Sequence, residues 1–276
     1  MHDERSPAAH PEVVTYYSAY AEENRLQSAL GQLEFTRTCE VLRRELPPPP
    51  ARVLDVGGAA GAYSSWLADA GYEVHLVDLT PRLVEEARRR DAEAARPIAS
   101  ISVGDARALT HRDGSVQAAL LMGPLYHLQR AADRAAAIGE AHRVLAPGGV
   151  LAAATISRLS PAVGITAARH LRHPRYAAIV ERVLAEGLHV NETGDIDNFT
   201  TAFMHRPAEL EAELIARGFG GVRVLGVEGP LWAFTDLEER WADPDGRKEL
   251  LDLASRLEAE RDIVAASAHL LGIGRR

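Results

Sequence analysis

Short apolar runs alternate with helix-forming stretches between residues 52 and 156 of this chain. The apolar runs are RVLDV, EVHLVD, IASISVGD, QAALLMG and VLAAATI, and amphipathic segments such as RLVEEARRR separate them. Apolar runs of this length that alternate with helices are typical of parallel strands covered on both faces of a sheet. The alternation therefore predicts an α/β fold with a doubly wound, Rossmann-like core, which binds ligands at the carboxyl ends of its strands.

The segments on either side of this core complete the predicted architecture. Residues 13–46 are predicted to form one or two helices that end at the Pro47–Pro50 run, because proline cannot continue a helix. We interpret residues 1–46 as an N-terminal helical lid and residues 51–276 as one domain. A helical cap, without a clear strand, is inserted in this domain at about 158–205, after the fifth strand.

Two more strands are predicted beyond the cap. A helix begins near Pro207, the strand GVRVLGVEG follows, and a charged helix over about 237–262 leads into the strand AHLLGIG. We expect these two late strands to form an antiparallel pair that closes the sheet.

Charge and cysteine content narrow the classes of function. The formal net charge of −8 disfavours a protein that binds nucleic acid, which needs an excess of Lys and Arg. Cys39 is the single cysteine, which excludes an internal disulfide and a cysteine-based zinc cluster. No apolar stretch reaches the roughly 18 residues of a membrane span. We therefore expect a cytoplasmic protein that acts on a small molecule, away from nucleic acid and membranes.

No metal ion is expected. His170 and His173 are three residues apart, and Asp195 and Asp197 are two apart, but solvated side chains explain both pairs more simply than a metal ion does.

The first strand leads into a glycine-rich turn, LDVGGAAGAY at residues 54–63. A dinucleotide-binding turn needs G-x-G-x-x-G, and alanines stand at two of those glycine positions, Ala59 and Ala62. The series Asp55, Gly57 and Gly61 instead fits a tight turn under a ligand that places no phosphate there. Asp78 ends the second strand about twenty residues further on, where a carboxylate meets ribose hydroxyls. The pattern favours a nucleoside without a pyrophosphate.

Four segments taken together resemble a class I S-adenosylmethionine-dependent methyltransferase of the small-molecule kind. They are ARVLDVGGAAGAYSSWLADAGYEVHLVDLTPRLVEEA, ISVGDARAL, VQAALLMGPLYHL and EAHRVLAPGGVLAAA. The resemblance covers roughly residues 50–156. It implies a seven-stranded, mostly parallel sheet whose last strand is antiparallel and lies beside the fifth. It also implies S-adenosylmethionine as cofactor, S-adenosylhomocysteine as product, and transfer of a methyl group to N or O of a small molecule, such as a secondary metabolite.

The resemblance also assigns cofactor contacts. The loop under the methionine part is assigned to Asp55, Gly57, Gly58 and Gly61, where many members of the family have a glycine at the position of Ala59. The remaining contacts are Asp78 to the ribose, Asp105 and Ala106 to the adenine, and Met122 and Gly123 to the methionine ammonium, with Leu79 as a further cofactor-binding residue.

Two residues of the N-terminal region are further candidates for the cofactor site. Tyr16 shares a helix with Tyr17 and Tyr20 and is expected to face the sulfonium by cation–π attraction. Arg37 is expected to reach the cofactor carboxylate.

A general base is useful when the acceptor must lose a proton, and histidine is suited to this near neutral pH. His127 is the first candidate because it follows the fourth strand, beside the expected sulfonium, and Tyr17 and His189 are further catalytic candidates. The predicted acceptor pocket contains Tyr126, His127, His189, Asn191, Phe203 and His205. A packing role is open for each of them.

Three alternatives are open. The glycine turn and Asp78 are also compatible with an NAD-linked oxidoreductase on a related sheet. A protein of this fold can also bind S-adenosylmethionine without transferring its methyl group, and a nucleic-acid methyltransferase is disfavoured by charge. The sequence leaves the oligomeric state open, with a homodimer as one option.

Overall fold

A computed structural model of the chain describes residues 11–19, 22–163, 172–191 and 199–276. Parts of the predicted cap, together with Tyr20, His170, Asp195 and Asp197, lie outside these residues.

The strands form one large sheet and one small one. They are β1 (Arg52–Val56), β2 (Glu73–Asp78), β3 (Ser100–Val103), β4 (Val116–Met122), β5 (Leu145–Ile156), β6 (Leu188–His189), β7 (Ala202–Phe203), β8 (Gly220–Gly226) and β9 (His269–Arg275). The large sheet has seven strands in the order β3-β2-β1-β4-β5-β9-β8. Strands β1 to β5 pair in parallel, and β9 is antiparallel to both β5 and β8. The predicted sheet, including the antiparallel last strand beside the fifth, is confirmed.

Helices cover both faces of this sheet. They are α1 (Pro11–Ala19), α2 (Ala29–Glu45), α3 (Ala62–Asp69), α4 (Pro81–Asp91), α5 (Pro124–His127), α6 (Ala131–Val144), α7 (Pro174–Glu186), α8 (Pro207–Ile215), α9 (Leu237–Ala242), α10 (Pro244–Leu257) and α11 (Arg261–Val264).

Successive side chains of a strand point to opposite faces, and β1 shows how this builds two cores. Val53 packs in one core with Leu42 of α2 and Leu67 of α3. Leu54 packs in the other core, which contains Ile138 of α6. Because both faces are covered, the carboxyl edge of the parallel strands is the part of the sheet that is open to a ligand.

The N-terminal helix α2 is part of this packing. Ser28 caps its first turn, since the Ser28 hydroxyl accepts a hydrogen bond from the Gly31 amide at 3.1 Å. Leu33 of α2 packs with Leu237 and Trp241 of α9 and with Leu250 of α10. The C-terminal helices therefore hold α2 in place over the sheet.

The prediction of one charged helix over about 237–262 is wrong, because this segment forms three shorter helices, α9, α10 and α11. Asp243 starts a new helix, since its side chain accepts a hydrogen bond from the Gly246 amide at 2.8 Å. Pro244 follows at the first helical position, where its missing N–H costs nothing.

The cap contains α7 as predicted, but it also contains a short strand pair that the sequence did not predict. The helix ends at Gly187, whose φ of 79° is left-handed, and β6 then pairs with β7 in an antiparallel arrangement. None of the helices in the described part of the chain is both long and apolar enough to cross a membrane.

Candidate active site

A cavity of about 220 Å³ lies at the carboxyl edge of the sheet. Eleven of the residues predicted from the sequence to form the site line it: Tyr17, Gly57, Gly58, Asp78, Leu79, Asp105, Ala106, Met122, Gly123, Tyr126 and His127. Their contacts with a ligand stay predictions, but the fold brings them to one place.

The glycine turn after β1 approaches α5 closely. Gly57 has a φ of 77°, and a Cβ atom added to it would lie 2.6 Å from Cδ of Pro124. Its amide donates to the carbonyl of Val77 at 2.7 Å, which ties the turn to β2. Gly61 starts α3 with a φ of 87°. The backbone conformation and the space at Gly57 both require glycine.

Asp78 holds the turn from the end of β2. Its carboxylate accepts hydrogen bonds from the amides of Ala59 at 2.9 Å and Thr80 at 2.8 Å. Burial raises the pKa of Asp78, although these backbone hydrogen bonds oppose the shift. A carboxylate has about four lone-pair positions, so Asp78 retains acceptor capacity toward the cavity that it lines.

Asp55 lies beneath the turn and does not line the cavity. It is fully buried and accepts a hydrogen bond from the Ser64 hydroxyl at 2.7 Å, while its other oxygen, Oδ1, has no partner among the described residues. Burial raises the pKa of Asp55 to about 6. The structure supports a role for Asp55 under the loop and does not bring its side chain to the cavity.

Asp105 reaches the cavity from the loop after β3. Its carboxylate forms an ion pair with Arg107, with a distance of 2.7 Å between Oδ2 and Nη2, and accepts the Arg107 amide at 2.9 Å. Arg107 therefore orients the carboxylate that the resemblance assigns to adenine.

These residues fit the nucleoside part of S-adenosylmethionine. The turn offers no second and third glycine for a pyrophosphate, and the acidic groups that line this half of the cavity, Asp78 and Asp105, would repel phosphate. Both carboxylates accept hydrogen bonds from hydroxyl and amino groups. The chemistry of these groups thus suits a ribose and an adenine.

The other half of the cavity contains a pair of polar groups set among aromatic rings. The Tyr17 hydroxyl lies 3.0 Å from Nε2 of His127, and Nδ1 of His127 lies 3.5 Å from the carbonyl of Thr201. A carbonyl can only accept, so this arrangement places a proton on Nδ1 and leaves Nε2 to accept from Tyr17. Tyr126 and Phe199 pack on His127, with ring centroids 4.5 and 5.6 Å away.

Three of the predicted residues stand behind this aromatic group. Tyr16 meets Phe199 edge to face at 5.7 Å. Asn191 donates from Nδ2 to the Phe199 carbonyl at 2.9 Å, and the buried ring of His189 lies 6.3 Å from the ring of Phe199. None of the three is among the described residues that line the cavity. We expected Tyr16 to contact the cofactor, and His189 and Asn191 to contact the acceptor. In the structure all three instead pack against or hydrogen-bond to Phe199.

Arg37 does not reach the cofactor region. Its guanidinium is buried and forms ion pairs with Glu40 and Glu258. The prediction that Arg37 binds the cofactor carboxylate is therefore wrong, because α2 turns this residue toward the C-terminal α10 region.

Phe203 and His205 are also outside the cavity. The Phe203 ring lies under the guanidinium of Arg134, 3.7 Å from the ring centroid. His205 is fully buried between Thr155, at 2.6 Å, and Glu213, at 3.3 Å. Both predictions are wrong, since these side chains connect the end of the cap to α6 and α8.

Several residues that line the cavity were not predicted: Arg25, Glu34, Thr38, Tyr63, Phe199 and His269. Phe199 ends the polar loop of the cap, and His269 is a polar residue that opens an otherwise apolar strand beside β5, which was a usable signal. Arg25 and Glu34 come from the N-terminal region, and their sequence surroundings carry no such signal.

Comparison with known proteins agrees with this geometry. Residues 53–149 match the family model described as a methyltransferase domain. The chain is 32% identical over 152 residues to a ubiquinone biosynthesis O-methyltransferase of Xanthomonas axonopodis, covering 54% of this chain and 59% of that protein. It is 35% identical over 109 residues to a demethylmenaquinone methyltransferase of Beutenbergia cavernae, covering 40% of this chain and 42% of that protein. The matches thus span about half the length of these curated relatives.

Among solved structures, an S-adenosylmethionine-dependent methyltransferase of Thermotoga maritima superposes with a TM-score of 0.60 at 15% identity, covering 95% of this chain and 98% of that one. At this identity the likeness concerns the fold. These comparisons agree with the resemblance found in the sequence: residues 53–149 match a methyltransferase-domain model, and the chain has the fold of solved structures named as S-adenosylmethionine-dependent methyltransferases.

Proposed function

We propose that this protein is an enzyme that transfers a methyl group from S-adenosylmethionine to an oxygen or nitrogen of a small molecule, with a phenolic oxygen as the favoured acceptor. The observation that carries the proposal is the single cavity that joins the strand-end residues Gly57, Asp78 and Asp105 to the Tyr17–His127 pair. The aromatic rings of Tyr126 and Phe199 in that cavity suit a planar acceptor. One curated relative is named as a ubiquinone biosynthesis O-methyltransferase and another as a demethylmenaquinone methyltransferase; both names favour a planar acceptor, and the first favours an oxygen.

The chain's own residues supply binding and orientation. When bound, S-adenosylmethionine supplies a methyl group on a sulfonium and leaves as S-adenosylhomocysteine. Asp78 would hold the ribose, Asp105 and Ala106 the adenine, and the carbonyl of Met122 the ammonium group. Holding the acceptor in line with the methyl group can supply about 7 to 11 kcal/mol to such a reaction.

The Tyr17–His127 pair would handle the acceptor's proton. In this arrangement Nε2 of His127 accepts from the Tyr17 hydroxyl. As the new O–C bond forms, the phenolic proton of the acceptor would pass to the Tyr17 oxygen while Tyr17 passes its own proton to Nε2. Tyr17 belongs to α1, which packs against α4 through a hydrogen bond of 2.9 Å from Arg82 to the Tyr17 carbonyl. Through this pair α1 would both close the cavity and complete the catalytic group, as expected of a lid.

The proposal is tested in two steps. Calorimetry with S-adenosylhomocysteine should show binding to the wild-type protein. Radiolabelled S-adenosylmethionine is then incubated with a panel of phenols, catechols and primary amines. Tyr17→Phe and His127→Asn should lower kcat for an accepted compound by about 10²- to 10⁴-fold and leave the affinity for S-adenosylhomocysteine unchanged.

Tyr72→Phe and His75→Asn are matched controls, because neither residue lines the cavity. A failure to bind S-adenosylhomocysteine would contradict the proposal. If titration with a nicotinamide cofactor changes that cofactor's fluorescence, the protein would instead be an oxidoreductase. Binding without methylation of any compound would favour a protein that keeps the cofactor site for other chemistry.

A further inference from the structure

A second histidine of the cavity is held by a buried carboxylate. Glu228 follows β8 and is fully buried. Its carboxylate accepts hydrogen bonds from the Ser267 hydroxyl at 2.8 Å, the His269 amide at 3.0 Å and Nδ1 of His269 at 2.5 Å. The Ser267 hydroxyl in turn accepts from the amides of Glu228 and Gly229. This network fixes the His269 ring at the start of β9.

His269 is available to a ligand through its other nitrogen. The residue lines the cavity, and because Nδ1 is bonded to Glu228, Nε2 is the ring nitrogen left for a ligand. Burial opposes the charged form, but the carboxylates of Glu34 and Glu228 raise the pKa of His269 to about 9. The ring is therefore an imidazolium at neutral pH, with Nε2–H as a charged donor.

Two other charged groups belong to the same part of the cavity. Arg25, in the 3₁₀ segment Glu22–Gln27, forms an ion pair with Glu34 of α2, and both line the cavity. Two cations and one carboxylate thus line this wall, while the second carboxylate, Glu228, is buried behind it. With Glu228 counted, the formal charges of these four groups balance, but His269 and Arg25 present cationic N–H donors to the cavity, and charged donors of this kind bind an anionic group.

The topology places this wall on the side of the cap. In the strand order the end of β4 is followed by β5 and then β9, and His269 pairs with Ile156 at the end of β5, where the cap begins. The residues assigned to the nucleoside lie on the other side of β4, where Asp78 ends β2 and Asp105 follows β3. His269 is therefore placed toward the acceptor rather than the nucleoside.

A metal ion is the competing occupant. Glu34, Glu228 and His269 each offer one ligand atom, and these atoms lie within 4.8 Å of one another. A metal ligand must be deprotonated, so an ion would have to displace the proton of His269 and the guanidinium paired with Glu34. The present pairing of cations and carboxylates therefore disfavours a metal ion at this place.

We propose that His269, oriented by Glu228 and assisted by Arg25, binds a carboxylate group of the methyl acceptor. The proposal rests on the function proposed above and adds a substrate class, aromatic acids with a methylatable hydroxyl group. His269 is a binding residue in this scheme, and Glu228 is a positioning residue.

The test compares isosteric charged and neutral probes on the wild-type protein saturated with S-adenosylhomocysteine. Calorimetry with 3- and 4-hydroxybenzoate and with the matching hydroxybenzamides should show that an acid binds about tenfold or more tightly than its amide, as a charge-assisted hydrogen bond provides. His269→Asn should remove this preference without changing the affinity for S-adenosylhomocysteine. The control His75→Asn should keep the preference.

Glu228→Gln tests whether Glu228 sets the charge of His269. A purely structural role of Glu228 would not change how the preference for the acid depends on pH. Without the buried carboxylate, the pKa of His269 should fall toward its ordinary value. Because Glu34 still raises this pKa, the preference for the acid should persist at pH 6 and weaken at pH 8 without being lost, whereas the wild-type protein should retain it in full at both.

Four results would overturn the proposal. They are equal or absent binding of the acids and amides, loss of S-adenosylhomocysteine affinity in His269→Asn, a preference in Glu228→Gln that does not change with pH, and binding of Zn²⁺ or Mn²⁺ that His269→Asn abolishes. Failure of the wild-type protein to bind S-adenosylhomocysteine would instead contradict the proposed function.

Discussion

At the scale of single residues, Ala59 of the glycine-rich turn has a strained backbone conformation that a hydrogen bond offsets. Its φ of 48° lies in the left-handed region, where a Cβ atom costs roughly 1–2 kcal/mol. The conformation directs the Ala59 amide to Asp78, at 2.9 Å. The hydrogen bond keeps the turn closed against the end of β2, so alanine is tolerated at a position where many members of the family have glycine.

Replacing Ala59 by glycine should therefore stabilise the protein. We expect Ala59→Gly to raise the free energy of unfolding by up to about 1 kcal/mol, because relief of the strained φ exceeds the added entropy of the unfolded chain. Urea denaturation measures the change. Ala136→Gly, at an exposed position in α6, should cost about 1 kcal/mol, and an equal loss at Ala59 would contradict the argument.

At the scale of elements, the position of Arg25 depends on a close approach between two helical segments. The 3₁₀ segment Glu22–Gln27 folds back on the first turn of α2. A Cβ atom at Gly31 would collide with the carbonyl oxygen of Arg25. Glycine is thus required within a helix, where it is otherwise unfavourable, and this contact helps to bring Arg25 to the cavity.

Two substitutions of helical glycines by alanine distinguish the effect of packing on stability from the effect of helix propensity. Gly31→Ala should destabilise the protein by about 1–3 kcal/mol, because backbone would have to move to accommodate the methyl group. Gly139→Ala in α6 meets no atom within 4 Å and should stabilise by about 0.4–1 kcal/mol. Thermal and urea unfolding of both variants checks the opposite signs, and a gain of stability in Gly31→Ala would show that the close approach is absent.

At the scale of the whole molecule, helix α2 and the segment that contains α9 and α10 contact each other beside the site. Arg37 pairs with Glu258, and the Trp241 indole donates to Gln32 at 2.7 Å. The Glu228–His269 pair fixes the start of the antiparallel strand β9 to the end of β8. Since His269 holds its proton more tightly in the folded state, this pair makes stability dependent on pH.

The sign and the range of this dependence follow from the raised pKa. The contribution of His269 should be complete below its unfolded pKa of about 6.5, and should be lost as pH rises through the folded value of about 9. We expect the stability difference between wild type and His269→Asn to shrink by about 1–3 kcal/mol between pH 6.5 and 10.

Urea denaturation across this range measures the difference. His75→Asn serves as the control, because it removes an imidazole that lies outside the cavity. Burial raises the pKa of Cys39 to about 12 in the folded protein. Its thiol therefore titrates within this window in the unfolded chain only, and this contribution is common to wild type and variant and cancels in their difference. A difference that stays constant with pH would show that His269 is not held as an imidazolium.

The sequence by itself determined the parallel core, the glycine turn and the acids at the strand ends. These features are local, because a strand, its turn and the following helix are consecutive in the chain, and parallel strands bring their carboxyl ends to one edge. His127 was predictable for the same reason, as it follows β4 directly. Its partner Tyr17 was chosen separately, and only the tertiary structure joined the two residues, 110 positions apart in the chain.

The tertiary structure alone decided the other pairings around the cavity. Arg37 pairs with Glu258, 221 positions away, and therefore lies outside the cavity. Arg25 and Glu34 line the cavity together with His269. The direction of a side chain on a helix depends on which face of that helix is buried. That choice is set by partners distant in the sequence, and it decides which of several similar charged residues reaches the ligand.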